Sequence, residues 1–278
     1  FCNQNINKMS KIVLITGASS GMGKSAANIL HKQGHKVYGA ARRIERMKDL
    51  EDQGMGVLPL DLTNDASIVN AVDTILEREG CIDVLINNAG YGSYGSVEEV
   101  TMEEAKRQFD VNIFGLARIT QLIIPKMREQ KSGRIVNISS MGGKIYTPVG
   151  AWYHATKFAL EGWSDCLRLE LKQFGIDVVV VEPGGIQTEW GDIAMDNFVK
   201  VSGDGPYADF GKKLIEGNEK MKSKLTPVDV LGKEIAKAAT VDKPKTRYLK
   251  GFMAKPMVRL RKWVSDRTFD KLILSQLK

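Results

Sequence analysis

Lys11-Ile12-Val13-Leu14-Ile15-Thr16-Gly17-Ala18-Ser19-Ser20-Gly21-Met22-Gly23 reads as a strand, a glycine turn and the start of a helix. The β-branched run carries no charge after Lys11, which suits a strand buried on both faces. Glycines let the turn adopt positive φ and let a ligand approach the backbone, and the helix start offers unpaired N–H groups and a positive dipole end to a phosphate. The spacing is Gly-x-x-x-Gly-x-Gly, which differs from the common Gly-x-Gly-x-x-Gly fingerprint. Three glycines in seven residues would only weaken a helix start unless something had to come close.

Working outward, strands are expected near 11–16, 36–41, 56–60, 82–86, 134–138, 176–181 and 246–249. They alternate with helices near 22–33, 43–52, 65–79, 102–130, 152–173 and 226–240. That alternation predicts an α/β fold, a Rossmann-type doubly wound parallel sheet of about seven strands in a single domain. Dinucleotide folds place an acid at the end of the second strand to hold a ribose hydroxyl. Here Lys36-Val37-Tyr38-Gly39-Ala40-Ala41 ends in Arg42-Arg43, two guanidiniums suited to a 2′-phosphate. NADP(H) is therefore expected in preference to NAD(H), with Arg42 as the main phosphate ligand. Asp61 ends the third strand with a carboxylate able to accept an adenine amino group, and Ile82-Asp83-Val84-Leu85-Ile86 runs into Asn87-Asn88-Ala89-Gly90.

Tyr153 and Lys157 lie four residues apart, so a helix puts both on one face. A fixed ammonium beside a phenol favours the phenolate and is expected to lower its pKa, which makes Tyr153 a candidate general acid/base. With the glycine loop, Asn87-Asn88-Ala89-Gly90, Asn112, Ser140 thirteen residues before Tyr153, and Lys157, the chain resembles the short-chain dehydrogenase/reductase family over residues 11 to about 250. Asn88-Ala89-Gly90-Tyr91-Gly92, the Lys36-to-Arg43 strand and Thr246-Arg247-Tyr248-Leu249 look like its 17β-hydroxysteroid-dehydrogenase-like branch. The resemblance implies a catalytic tetrad of Asn112, Ser140, Tyr153 and Lys157. Ser140 would bind the substrate oxygen, Tyr153 would exchange the proton, Lys157 would hold the nicotinamide ribose and lower the Tyr153 pKa, and Asn112 would hold a water linking Lys157 to solvent.

The cofactor contacts so implied are Gly17, Ser19, Ser20, Gly21, Met22 and Gly23 in the loop, Arg42, Arg43, Asp61 and Leu62 at the adenosine end, then Asn88, Ala89, Gly90, Tyr153 and Lys157. Pro183-Gly184-Gly185-Ile186-Gln187-Thr188 matches the family segment after the sixth strand. It adds Pro183, Gly184, Ile186 and Thr188, with Ile186 and Thr188 at the carboxamide. A long mobile lid is expected at about 189–225. Its apolar and aromatic residues, together with Met141, Ile145 and Tyr146, suit a large apolar ketone, aldehyde or alcohol. Met141, Tyr146 and Trp190 are the substrate candidates. The reading is an NADPH-dependent carbonyl reductase or alcohol dehydrogenase; the alternative is an NADP(H)-binding regulatory or redox-sensing protein without turnover. A homodimer or homotetramer is implied.

Three cysteines without paired spacing and three scattered histidines argue against a disulfide framework and give no metal site. No stretch of about 20 apolar residues is present, and a cytoplasmic setting is expected. Residues 1–8 read as a disordered or extraneous segment before Met9, and 9–255 as the catalytic domain. From Lys243 onward there are eleven Lys and Arg against two Asp, so the whole net charge of +7 has its source in this tail. Residues 256–278 are expected to form one basic amphipathic helix with Met257, Leu260, Trp263 and Val264 on its apolar arc. Packing against the protein is favoured over peripheral membrane contact, and no nucleic acid is expected.

Overall fold

The computed structural model describes residues 10–275, so the expectation for residues 1–8 lies outside the described residues. The first half runs β1 (Ile12–Thr16), α1 (Gly21–Lys32), β2 (Lys36–Ala41), α2 (Lys48–Asp52), β3 (Gly56–Pro59), α3 (Asp65–Glu79), β4 (Val84–Asn87), α4 (Met102–Phe109) and α5 (Leu116–Gln130). It continues through β5 (Gly133–Ile138), α6 (Ala151–Leu171), β6 (Ile176–Pro183), α7 (Trp190–Ser202), α8 (Ala208–Met221), α9 (Val228–Thr240), β7 (Arg247–Lys250), α10 (Ala254–Trp263) and α11 (Asp266–Ser275). The seven strands form one parallel sheet in the order β3-β2-β1-β4-β5-β6-β7.

Alternate residues of each strand feed opposite cores, which is why the strands are apolar throughout. Val13, Ile15, Val84, Ile86, Val136, Ile138, Val179 and Val181 pack on one face with Ala26, Leu30, Leu231 and Ile235 of α1 and α9. Leu14, Leu85, Ile135 and Val178 pack on the other with Ile75, Ile123 and Leu167 of α3, α5 and α6. Strand order reverses between β1 and β4, and a ligand crevice in such sheets opens at the carboxyl ends of the strands beside that reversal.

Three elements differ from expectation. The single helix foreseen over 102–130 is interrupted by a π-helical segment at Asp110–Gly115. Gly115 comes so close to the Leu62 carbonyl that a Cβ there would lie 2.2 Å from it. The segment expected as a lid is folded into α7 and α8, and Phe198, only 1% exposed, plugs against Gly211. The tail, expected as one helix, is two: α10 ends before Val264 and Ser265, and α11 folds back. Met257 is buried as expected, whereas Trp263, placed on the apolar arc by its spacing, is 88% exposed, because Val258 takes the inward position beside Met257. Among the described residues no helix is long and apolar enough to cross a membrane.

Candidate active site

A single cleft of about 1540 Å³ runs along the carboxyl ends of β1, β2, β4, β5 and β6. At its floor the β1–α1 turn needs glycine twice over. Gly17 has φ +70°, and a Cβ on it would lie 2.8 Å from Ala89 Cα. A Cβ on Gly23 would lie 2.3 Å from Asn88 Nδ2. The Asn88 amide donates to the carbonyls of Thr16 (3.0 Å) and Gly17 (3.1 Å), and the Thr16 hydroxyl oxygen accepts from the N–H groups of Asn88 (3.1 Å) and Ala89 (3.0 Å). The Asn88 side chain thus ties the end of β4 to the glycine turn. Ser20 caps α1 without a side-chain hydrogen bond, and no acid lies in the first turn, so the helix N–H groups remain available to an anion.

At the adenosine end, Arg42 and Arg43 are exposed and line the cleft with Arg107 of α4, and no acid lies within 4.0 Å of these three guanidiniums among the described residues. Asp61 spends Oδ1 on the Thr63 N–H (2.9 Å) and hydroxyl (2.8 Å). Burial opposes its charge, but those bonds and the fields of Arg42 and Arg107 hold the carboxyl below its usual range. Leu62, Ala89, Gly90, Pro183, Gly184, Ile186 and Thr188 all line the same cleft, as do Ser19, Ser20, Gly21 and Met22. The donors and close approaches fit a dinucleotide phosphate, and three guanidiniums line the cleft beyond the end of β2.

At the other end Ser140, Tyr153 and Lys157 meet. Ser140 Oγ accepts from the Gly142 N–H (2.9 Å) and hydrogen-bonds Tyr153. Lys157 Nζ donates to the Ile138 carbonyl (2.9 Å) and stands 5.9 Å from the Tyr153 ring centroid. The expected lowering of the Tyr153 pKa is not what the protein groups produce: burial pushes the phenol up to about 12, and the Ser140 bond only partly offsets this. Burial likewise pulls Lys157 down to about 8, against the Glu161 carboxylate, which raises it. Desolvation outweighs the pair's attraction because both groups are enclosed and the ammonium points at a carbonyl rather than at the phenol.

Asn112 makes a side-chain clip. Its Oδ1 accepts from the Tyr91 N–H (3.1 Å), and Nδ2 donates to the Tyr91 carbonyl (2.9 Å) and to Thr156 Oγ1 (3.1 Å). The side chain therefore fastens the π-helical segment to the β4 loop and to α6, and is committed before any water is considered.

The residues 11–196 match the family model for short chain dehydrogenase, which covers well over half of the chain. The chain belongs to the short-chain dehydrogenase/reductase family. Over 259 residues it is 38% identical to the 3-ketodihydrosphingosine reductase of Bacteroides thetaiotaomicron, covering 92% of this chain and 94% of that one. A short-chain dehydrogenase from Streptomyces avermitilis superposes with TM-score 0.77 at 30% identity, covering 96% of each chain. The closed form of a serine dehydrogenase complexed with NADP+ superposes with TM-score 0.74 at 25% identity, over 87% of this chain and 95% of that one.

Within this short-chain dehydrogenase site, Met141 and Trp190 line the cleft, but Tyr146 does not. Its hydroxyl donates to Asp270 (2.9 Å) and its ring meets Phe269, so the tail draws it away from the cavity. Tyr94 escaped the sequence reading. It is enclosed, its pKa is raised by burial, and its ring forms a trio with Tyr153 (6.0 Å) and Trp190 (5.9 Å), while Trp190 lies 4.9 Å from Tyr153. His154 was missed too: Nδ1 bonds the Gly142 carbonyl (2.8 Å) and Nε2 accepts from the Thr147 N–H (3.0 Å), which assigns the Nδ1–H tautomer. Burial lowers its pKa, so it acts as a neutral strut holding the Ser140 loop against α6. An exposed-looking Gly-Ser-Tyr loop and a lone histidine carry no local signal of either role.

Proposed function

We propose that the protein is an NADP(H)-dependent carbonyl reductase, reversible as an alcohol dehydrogenase, acting on an apolar ketone, aldehyde or secondary alcohol. The observation that carries this reading is the convergence of Ser140, Tyr153 and Lys157 in one cleft with the glycine turn and the Arg42 guanidinium at its far end. A reduced nicotinamide held in this cleft would supply hydride to the carbonyl carbon. Ser140 Oγ hydrogen-bonds the carbonyl oxygen and Tyr153 Oη gives it a proton as negative charge develops there. A phenol held near 12 keeps its proton at neutral pH, which suits it to donate in the reductive direction. Lys157 would hold the ribose hydroxyls and stabilise the phenolate that remains until it is reprotonated. Arg42 would bind the 2′-phosphate through charge-assisted bonds, which would favour NADPH over NADH.

The pocket around the reaction point is aromatic, formed by Tyr94, Tyr153 and Trp190 beside Met141 and Ile145. Such a lining favours apolar substrates. The relative that reduces 3-ketodihydrosphingosine makes long-chain 3-ketones the first compounds to try. NADPH and NADH oxidation followed in parallel across 3-ketones of increasing chain length, steroids, retinal and quinones tests the reading. Turnover with NADPH and an aliphatic or aromatic carbonyl supports it. NADPH binding with no turnover of any of these classes would move the reading to a non-catalytic NADP(H)-binding protein.

A further inference from the structure

We propose that the outer face of α10 and α11 docks on an anionic lipid surface and sets the mouth of the cleft against it. That the cleft is an active site rests on the proposed function; the docking does not. The inner faces of the two helices bury Met257, Val258, Phe269 and Ile273 against Ile145, with Met141 packed alongside. Met141 and Ile145 also line the cleft, so the tail is one wall of its rim. A second groove of about 290 Å³ runs under α11 between Tyr146, Pro148, Ile273 and Leu274 and shares Thr147 with the cleft. The groove, which Asp270 also lines, adjoins the cleft at Thr147.

The tail is also strongly basic, and its acids are already engaged. Its two acids are both exposed and each has a partner within the protein: Asp266 pairs with Arg261, and Asp270 accepts from the Tyr146 hydroxyl at 2.9 Å. Arg261 itself lies over the Tyr146 ring (5.3 Å) and the Phe269 ring (5.5 Å). The outward cations are left without partners. On α10, Lys255, Arg259 and Lys262 are exposed, and on α11 so are Arg267 and Lys271; among the described residues none of the five has an acid within 4.0 Å.

Between these cations the helices present apolar side chains to solvent. Trp263, 88% exposed, stands one turn beyond Arg259 on the same side of α10, and Leu274, 49% exposed, follows Lys271 on α11. A single exposed apolar residue is ordinary. A tryptophan and a leucine set among five unpaired cations is the composition of an interfacial helix, in which the indole enters the headgroup layer and the cations meet anionic lipid. Duplex nucleic acid would use the cations but give Trp263 and Leu274 nothing to enter.

The test uses the full chain with vesicles of phosphatidylcholine alone or mixed with phosphatidylglycerol, read by co-sedimentation with no substrate present. Binding is expected only to the anionic vesicles and should weaken as salt rises. Each cation near such a surface contributes roughly fivefold to partitioning, so R259E with K262E should lower it by at least about 25-fold. Trp263→Ala should also lower it, while circular dichroism and NADPH affinity stay those of the parent. Brominated phosphatidylglycerol should quench more emission in the parent than in Trp263→Phe. Equal binding to neutral vesicles, or no binding at low salt, would overturn the proposal, as would full binding by the charge-reversed variant. It would equally be overturned by a self-association that Trp263→Ala abolishes while vesicle binding is unaffected.

Discussion

Arg42 and Lys157 give the two sharpest predictions at the scale of single residues. If Arg42 binds the 2′-phosphate as proposed, Arg42→Ala removes a charge-assisted contact worth about 1.5–3 kcal/mol, so KM for NADPH should rise roughly tenfold to a hundredfold with NADH little affected. Steady-state kinetics with both cofactors checks this; an equal effect on both would place the phosphate elsewhere. Lys157 is a cation below about 8 and neutral above it, so the rate of carbonyl reduction should fall as pH rises through that value. The Glu161 carboxylate raises the Lys157 pKa, so Glu161→Gln must move the fall to lower pH. A pH profile that moves the other way, or not at all, would contradict the assignment. Ser140, Tyr153 and Lys157 were legible because their spacing is set by one strand end and one helix. Tyr94 and His154 were not, since each acquires its role from a partner brought in by the fold: Trp190 comes from the lid, and Gly142 from the Ser140 loop. Tyr146 was misplaced for a similar reason, because the tail that captures it lies 124 residues away.

At the scale of elements, the lid offers a paired test. A Cβ on Gly211 would lie 1.7 Å from Phe198 Cε1, whereas one on Gly217 in the same helix meets nothing within 4 Å. Gly217→Ala should stabilise α8 by up to about 1 kcal/mol. Gly211→Ala should instead dislodge Phe198 and cost about 1–3 kcal/mol, since overpacking strains a filled core. Urea unfolding of the two variants decides it, and equal effects would mean that Phe198 is not the latch. Strands were legible because β-branched runs buried on both faces leave few other readings. The π-helical segment was not, because Asn112 within it is fastened to Tyr91 and Thr156, partners distant in sequence that periodicity does not reveal. Helices α7 and α8 were not foreseen within the expected lid, whose Gly191 and Gly217 have only a distant neighbour or open space around them.

For the whole molecule, exposed apolar residues collect on the helices behind the site. Phe114 beside α5 is 60% exposed, and Leu169 of α6 is 70% exposed along with Phe158 on the same helix. Pairing of these helices with a second copy would cover them, and light scattering should find a dimer or tetramer that Phe158→Glu with Leu169→Glu converts to smaller species. A monomeric parent would contradict this. Such an interface lies on helices whose inner faces hold Asn112 and Tyr153, so assembly and the site share the same supports. The chemistry at that site is best tested by turnover and NADPH binding in Tyr153→Phe measured side by side. Loss of the general acid should lower carbonyl reduction by roughly a hundredfold to ten-thousandfold with NADPH affinity unchanged; a variant that keeps most of its rate would contradict the account.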